Sequence, residues 1–135
     1  MLDTAPPPPA STLHPLVQRL LACHGYAYAE ALDALVEPRD VLLFLPSHAK
    51  AHLETPDIAV VLPELVKALD PSGARLTGAV AGPALETELR GALGLALPAL
   101  VVVRAGAVAG SVARMRDWDE YLARLSALLP PTSTH

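Results

Sequence analysis

The stretch Leu97-Pro98-Ala99-Leu100-Val101-Val102-Val103-Arg104-Ala105-Gly106-Ala107-Val108 constrains this chain most. A proline cannot donate to a sheet ladder, so Pro98 marks the start of a strand. Five apolar residues follow without alternation, the pattern of a strand covered on both faces. Gly106 supplies the turn of a hairpin, and Ala107 to Ala113 returns. A helix then opens at Asp117-Trp118, with Glu120 at capping-box spacing and Trp118, Tyr121, Leu122, Leu125 and Leu129 on one apolar face. Proline, hairpin and closing helix together demand a layered domain with cover on both sides of the sheet.

The preceding residues supply that cover. Leu13 to His24 reads as a helix capped by Ser11 or Thr12, with Pro15 in its first turn and Gly25 stopping it. Tyr26 to Ala29 is a short strand, and Glu30 to Glu37 holds at most one helical turn before Pro38. Asp40 to Leu45 is a strand apolar on both faces, and Pro46 to Glu54 a polar loop. Thr55-Pro56-Asp57 reads as a helix start: threonine cap, proline next, acid in the first turn. Ile58, Val61, Leu62, Leu65 and Leu69 form the helix's buried stripe, and the internal Pro63 should kink it. Ala74 to Ala81 is a strand. Gly82-Pro83 opens a helix with Leu85, Leu89 and Leu93 on its apolar face and Gly94 at its end. Alternating strands and helices imply a mainly parallel α/β sheet, to which the final hairpin adds an antiparallel edge.

Length and composition set bounds. With 135 residues, 52% of them hydrophobic and only 4% aromatic, the chain can build one core of Leu, Val and Ala. Residues 1–10 and 130–135 read as Pro-rich or short disordered tails around a domain at 11–129. Fourteen acidic against ten basic residues, with no basic patch among aromatics, argue against nucleic-acid binding. No apolar run reaches the ~20 residues that span a bilayer, and residues 1–10 lack the pattern of a signal peptide. A cytoplasmic protein is the expectation. The single Cys23 excludes an intrachain disulfide, and its apolar neighbours Leu20 and Leu21 favour a packed or idle thiol.

With the elements placed, Asp40 to Leu129 resembles the thioredoxin superfamily. Pro63 stands where those proteins carry a proline in their second helix, and Leu97-Pro98 where they carry the cis-proline facing the active site. The resemblance then puts the Cys-x-x-Cys positions on Thr55-Pro56-Asp57-Ile58, where both sulfurs are replaced. Neither a hydroxyl nor an aliphatic chain can form a mixed disulfide. More narrowly, Phe44-Leu45-Pro46, the segment from Glu54 to Leu65, and Arg116-Asp117-Trp118-Asp119-Glu120-Tyr121-Leu122 are similar to the HyaE/HupG family of hydrogenase-expression proteins. In two respects the chain departs from that family: its approach to Pro98 is one residue shorter, and its proline-rich N-terminus lies outside the pattern. The resemblance implies a thioredoxin-like three-layer fold, with a mixed sheet of four to five strands and an extra N-terminal helix. It implies a non-catalytic chaperone of [NiFe] hydrogenase maturation. The implied partners are the small-subunit precursor with its twin-arginine signal peptide and, as a further candidate, a second maturation factor. No cofactor or metal is expected.

On that reading the partner-binding residues are Glu54, Thr55, Pro56, Asp57, Glu64, Leu97 and Pro98. Glu54, Asp57 and Glu64 would offer carboxylates to paired arginines; their bland alternative is a solvated helix face with a capping acid. Leu97-Pro98, if cis, would wall a groove for an extended peptide. His48 and His52 have a spacing that can bind metal on a helix, but beside Pro46 and Lys50 they read as two solvated imidazoles in a loop. Trp118 reads as core, and Tyr121 stays open because its hydroxyl can reach water. Two other functions compete: a thiol oxidoreductase using Cys23 alone, and a structural interaction subunit.

Overall fold

The structure is a computed structural model, and it describes residues 14–35, 39–48 and 52–129. The proposed tails at 1–10 and 130–135, and the caps Ser11 and Thr12, lie outside the described residues. Five strands form one mixed sheet in the order β1-β3-β2-β4-β5. They are β1 (Ala27–Ala29), β2 (Asp40–Leu45), β3 (Leu76–Ala81), β4 (Ala99–Arg104) and β5 (Ala107–Ala113). β1 and β2 both run parallel to β3, while β4 runs antiparallel to β2 and β5 antiparallel to β4. Among the described residues four helices flank them: α1 (Pro15–Ala22), α2 (Thr55–Leu69), α3 (Pro83–Leu93) and α4 (Trp118–Leu128). A single 3₁₀ turn, Leu32–Leu35, follows β1. This is the α/β fold expected, consistent with a thioredoxin-like architecture.

The unbroken apolar strands sit where their pattern requires. All six residues of β2 are buried, and their side chains alternate between two cores. Leu42 and Phe44 join Leu100 and Val102 under α1, α2 and α4. Val41, Leu43 and Leu45 join Val101 and Val103 under α3 and the 3₁₀ turn. Period-two alternation thus feeds both layers from the same strands. α2 continues through Pro63, with Ile58, Leu62 and Leu65 buried.

Several local expectations are corrected. α1 starts at Pro15, capped by the His14 ring, which accepts from Leu16 N, and it ends at Ala22, so Cys23 is an exposed C-cap residue rather than a packed thiol. α2 is preceded by Glu54, and Thr55 is its first residue, not its cap. Asp117 makes no side-chain capping bond, and Glu120, rather than completing a capping box, pairs with Arg124, 3.0 Å away on the same helix. Trp118 is 41% exposed, whereas Tyr121 is buried and fills the space beneath the first turn of α4. Leu93, at the last turn of α3, is also exposed.

Candidate functional site

The strand register gathers the predicted residues at one end of the sheet. Leu45 pairs with Ala99 and Ala99 with Ala113, so Pro46, Pro98 and Arg114 lie side by side just beyond the ladders. The Leu97-Pro98 bond is cis. Arg114 N donates to the Pro98 carbonyl at 2.7 Å. Arg114 holds a left-handed backbone conformation, φ 69°, and its guanidinium reaches across to Glu54. Nε lies 2.9 Å from Oε1, and the second nitrogen 3.2 Å from Oε2. Met115 N adds a third bond to Glu54 Oε1 at 2.9 Å. Next in the chain, Thr55 donates its hydroxyl to the Pro46 carbonyl at 2.8 Å. The ring closes through Pro46, back beside Pro98.

This ring changes the meaning of two residues. Glu54 is not a free acid for a partner: the Arg114 guanidinium and the Met115 N–H hold its carboxyl below the usual range. Thr55 is buried, and its hydroxyl is committed inside the chain. Ile58, where the second sulfur of a redox pair would stand, is fully buried. Tyr121 secures the ring from beneath. Its hydroxyl donates to the Arg114 carbonyl at 2.8 Å, and burial pushes its pKa up to about 12.

Around the ring the surface is apolar and open. Leu53 is 92% exposed immediately before Glu54, while Pro56 and Leu97 are half-exposed. Asp57 is exposed in the first turn of α2. Glu64 lies about 10 Å farther along α2 by helical rise and lines a different recess. The structure therefore brings Glu54, Thr55, Pro56, Asp57, Leu97 and Pro98 to one end, and leaves Glu64 apart.

The polar loop after β2 is also held from within. Glu86, buried on α3, accepts from Ser47 N at 2.7 Å and His48 N at 2.6 Å. The His48 Nε2 lies 2.6 Å from the Ala81 carbonyl, and the ring stands edge-on to Tyr28. The His52 Nδ1 accepts from Glu54 N. The two imidazoles are thus half-buried fasteners rather than solvated groups. Among the described residues no cluster of three or more His, Cys, Asp or Glu side chains could hold a metal ion.

Sequence reasoning missed Arg114, Met115, Glu86 and Leu53. Arg114 directly follows the predicted hairpin strand, which was the available signal. For Glu86 there was none, because its partners lie 38 and 39 residues away.

Comparison with known proteins decides the family. The sequence model described as "Hydrogenase-1 expression protein HyaE" matches residues 16–121. The chain belongs to the HyaE family of hydrogenase expression proteins. It is 42% identical to the hydrogenase expression/formation protein HupG of Rhodobacter capsulatus over 96% of this chain and 94% of that protein. The HoxO protein of Azotobacter vinelandii is 37% identical over 87% of this chain and 79% of its own length. Among solved structures, a designed protein superposes with TM-score 0.55 at 16% identity, over 79% of this chain and 95% of its own, a likeness of fold alone. For this HyaE-family chain, the matched region spans all five strands and the whole ring around Pro98. Among its described residues no helix is long and apolar enough to cross a membrane.

Proposed function

We propose that this chain is a non-catalytic chaperone of [NiFe] hydrogenase maturation that holds the small-subunit precursor by its twin-arginine signal peptide. Its relatives are named as hydrogenase expression and formation proteins, which supports the maturation role. One observation carries the non-catalytic reading: the first position of a thioredoxin-type redox pair is a buried threonine whose hydroxyl already binds Pro46. Arg114 ties the Pro98 carbonyl to Glu54, next to Thr55, and an apolar rim of Leu53, Pro56 and Leu97 lies beside it. An extended peptide would lie along that wall, burying its side chains on the rim. Asp57, exposed in the first turn of α2, would be the acid to meet an arginine. The cytoplasm is where such a precursor would be met before export.

The test is binding of a fluorescent twin-arginine signal peptide and of the full precursor, by anisotropy and co-purification. Both should bind at low salt and weaken several-fold as exposed charge pairs are screened. Asp57→Asn should weaken binding, and the peptide should perturb the amides of Leu97 and Arg114. If neither peptide nor precursor binds at low salt, the proposal fails.

A further inference from the structure

The solvent side of α2 carries a pattern that the ring at Pro98 does not use. Leu53, Asp57, Val60 and Glu64 follow one another at helical spacing, apolar and acidic in turn. Leu53 and Val60 are 92% and 57% exposed, and they are two of the four large exposed hydrophobics among the described residues. Asp57 and Glu64 are exposed and have no ion pair within the described chain. Beside Val60 a recess of about 170 Å³ opens between α1 and α2, walled by Leu16, Leu20, Ala59 and Pro63. A second recess of about 310 Å³ continues from His24 and Pro63 past Glu64 to Asp70. Arg19 lines the first recess, and Lys67 lines the second together with Glu64.

We propose that this α1–α2 recess with the stripe Asp57, Val60 and Glu64 is a second docking surface, and that it takes an amphipathic helix with cations seven residues apart and an apolar residue midway. The geometry selects a helix. Asp57 and Glu64 are separated by about 10 Å of helical rise on one face. A helix laid alongside presents residues i and i+7 at that rise and on one face, with i+3 or i+4 between them. An extended strand covers about 10 Å in three residues, which places its two cations on opposite faces. Two adjacent arginines would have to splay their side chains apart to meet both carboxylates, at a cost in rotamer freedom. Charge complementarity therefore favours a helical partner basic along one edge, its apolar side chain seated beside Val60 and Pro63. Arg19 and Lys67 disfavour a helix that is basic all round.

The surface meets the proposed peptide site at Asp57, but Val60, Glu64 and the recess lie farther along α2 than the Pro98 wall, so the two can be tested apart through them. The probe is a synthetic helical peptide with Arg at i and i+7 and Leu at i+3 and i+4, titrated into the full chain while backbone amides are followed by NMR. Binding should perturb Leu16 to Leu20 and Val60 to Lys67, and leave Leu97 and Arg114 unmoved. Val60→Asp should weaken binding at least tenfold, and Glu64→Gln about two- to fivefold, with unfolding midpoints close to the parent's. A peptide of the same composition with its arginines adjacent should bind several-fold more weakly. Equal binding of the two peptides overturns the proposal, as does absence of binding. So does a sedimentation coefficient that rises with concentration and falls back in Val60→Asp, since the occupant would then be a second copy.

Discussion

At the scale of single residues, Arg114 does most to define the site. One backbone N–H and one guanidinium tie the Pro98 carbonyl to Glu54. Because the folded chain lowers the Glu54 pKa from its ordinary 4.5, the pairing stabilises the fold above that pH and fades as acid protonates the carboxylate. Glu54→Gln should cost about 0.5–1 kcal/mol near neutral pH, modest because both side chains stay about one-third exposed. Urea unfolding between pH 7 and pH 3 should show that difference closing below about 4.5. Tyr121 has the opposite sign. Its raised pKa means that its contribution is complete below the ordinary value of 10 and is lost as pH rises through about 12. Tyr121→Phe leaves the Arg114 carbonyl without its hydroxyl donor and should cost about 1 kcal/mol. Alkaline absorbance titration should lose its phenolate step near pH 12.

At the scale of elements, the decisive contacts fix how helices meet the sheet. α4 lies so close to β5 that a Cβ on Gly110 would stand 2.3 Å from a Leu128 methyl and 3.1 Å from its Cγ. Gly110→Ala should turn the end of the Leu128 side chain out of its rotamer and destabilise by about 0.5–1.5 kcal/mol. Leu128→Ala should relieve the clash, so the double variant should lose less than the sum of the two, a coupling that equilibrium unfolding measures. α3 is held by exchange of carboxylates: Glu30 after β1 accepts from Ala84 N at its start, while its own Glu86 fastens the loop after β2. These bonds hold that loop against the sheet on its way to Leu53 and Glu54.

At the scale of the whole molecule, two cores share the same central strands. β2 and β4 carry the residues that link both layers, so their amides should exchange only through global unfolding, with protection matching the equilibrium stability. β1, three residues long at one edge, should exchange sooner. Cys23 lies outside both cores at the end of α1. Alkylating the folded protein should modify it readily without shifting the unfolding midpoint or peptide binding. Loss of binding on alkylation would favour the thiol-dependent alternative.

The sequence by itself determined the elements and their layering. Unbroken apolar runs at Asp40–Leu45 and Ala99–Val103 can be buried only between two helix layers, and helical spacing named the inward face of α2. It also put a proline at the head of β4, opposite a helix with no sulfur. Counting outward from the Arg104–Ala107 turn sets Pro98 against Ala113. A bulge between Val102 and Val103 moves that partner to Arg114, and only the folded register decides it. With Arg114 in place Glu54 becomes an internal ion pair, and the acidic trio read from sequence reduces to Asp57 and Glu64. Trp118 and Tyr121 point the same lesson. Both belong to one apolar face, and only packing chose Tyr121, because beneath α4 its hydroxyl finds the Arg114 carbonyl. Periodicity is a local property of the chain; which polar atom meets which depends on contacts between residues tens of positions apart.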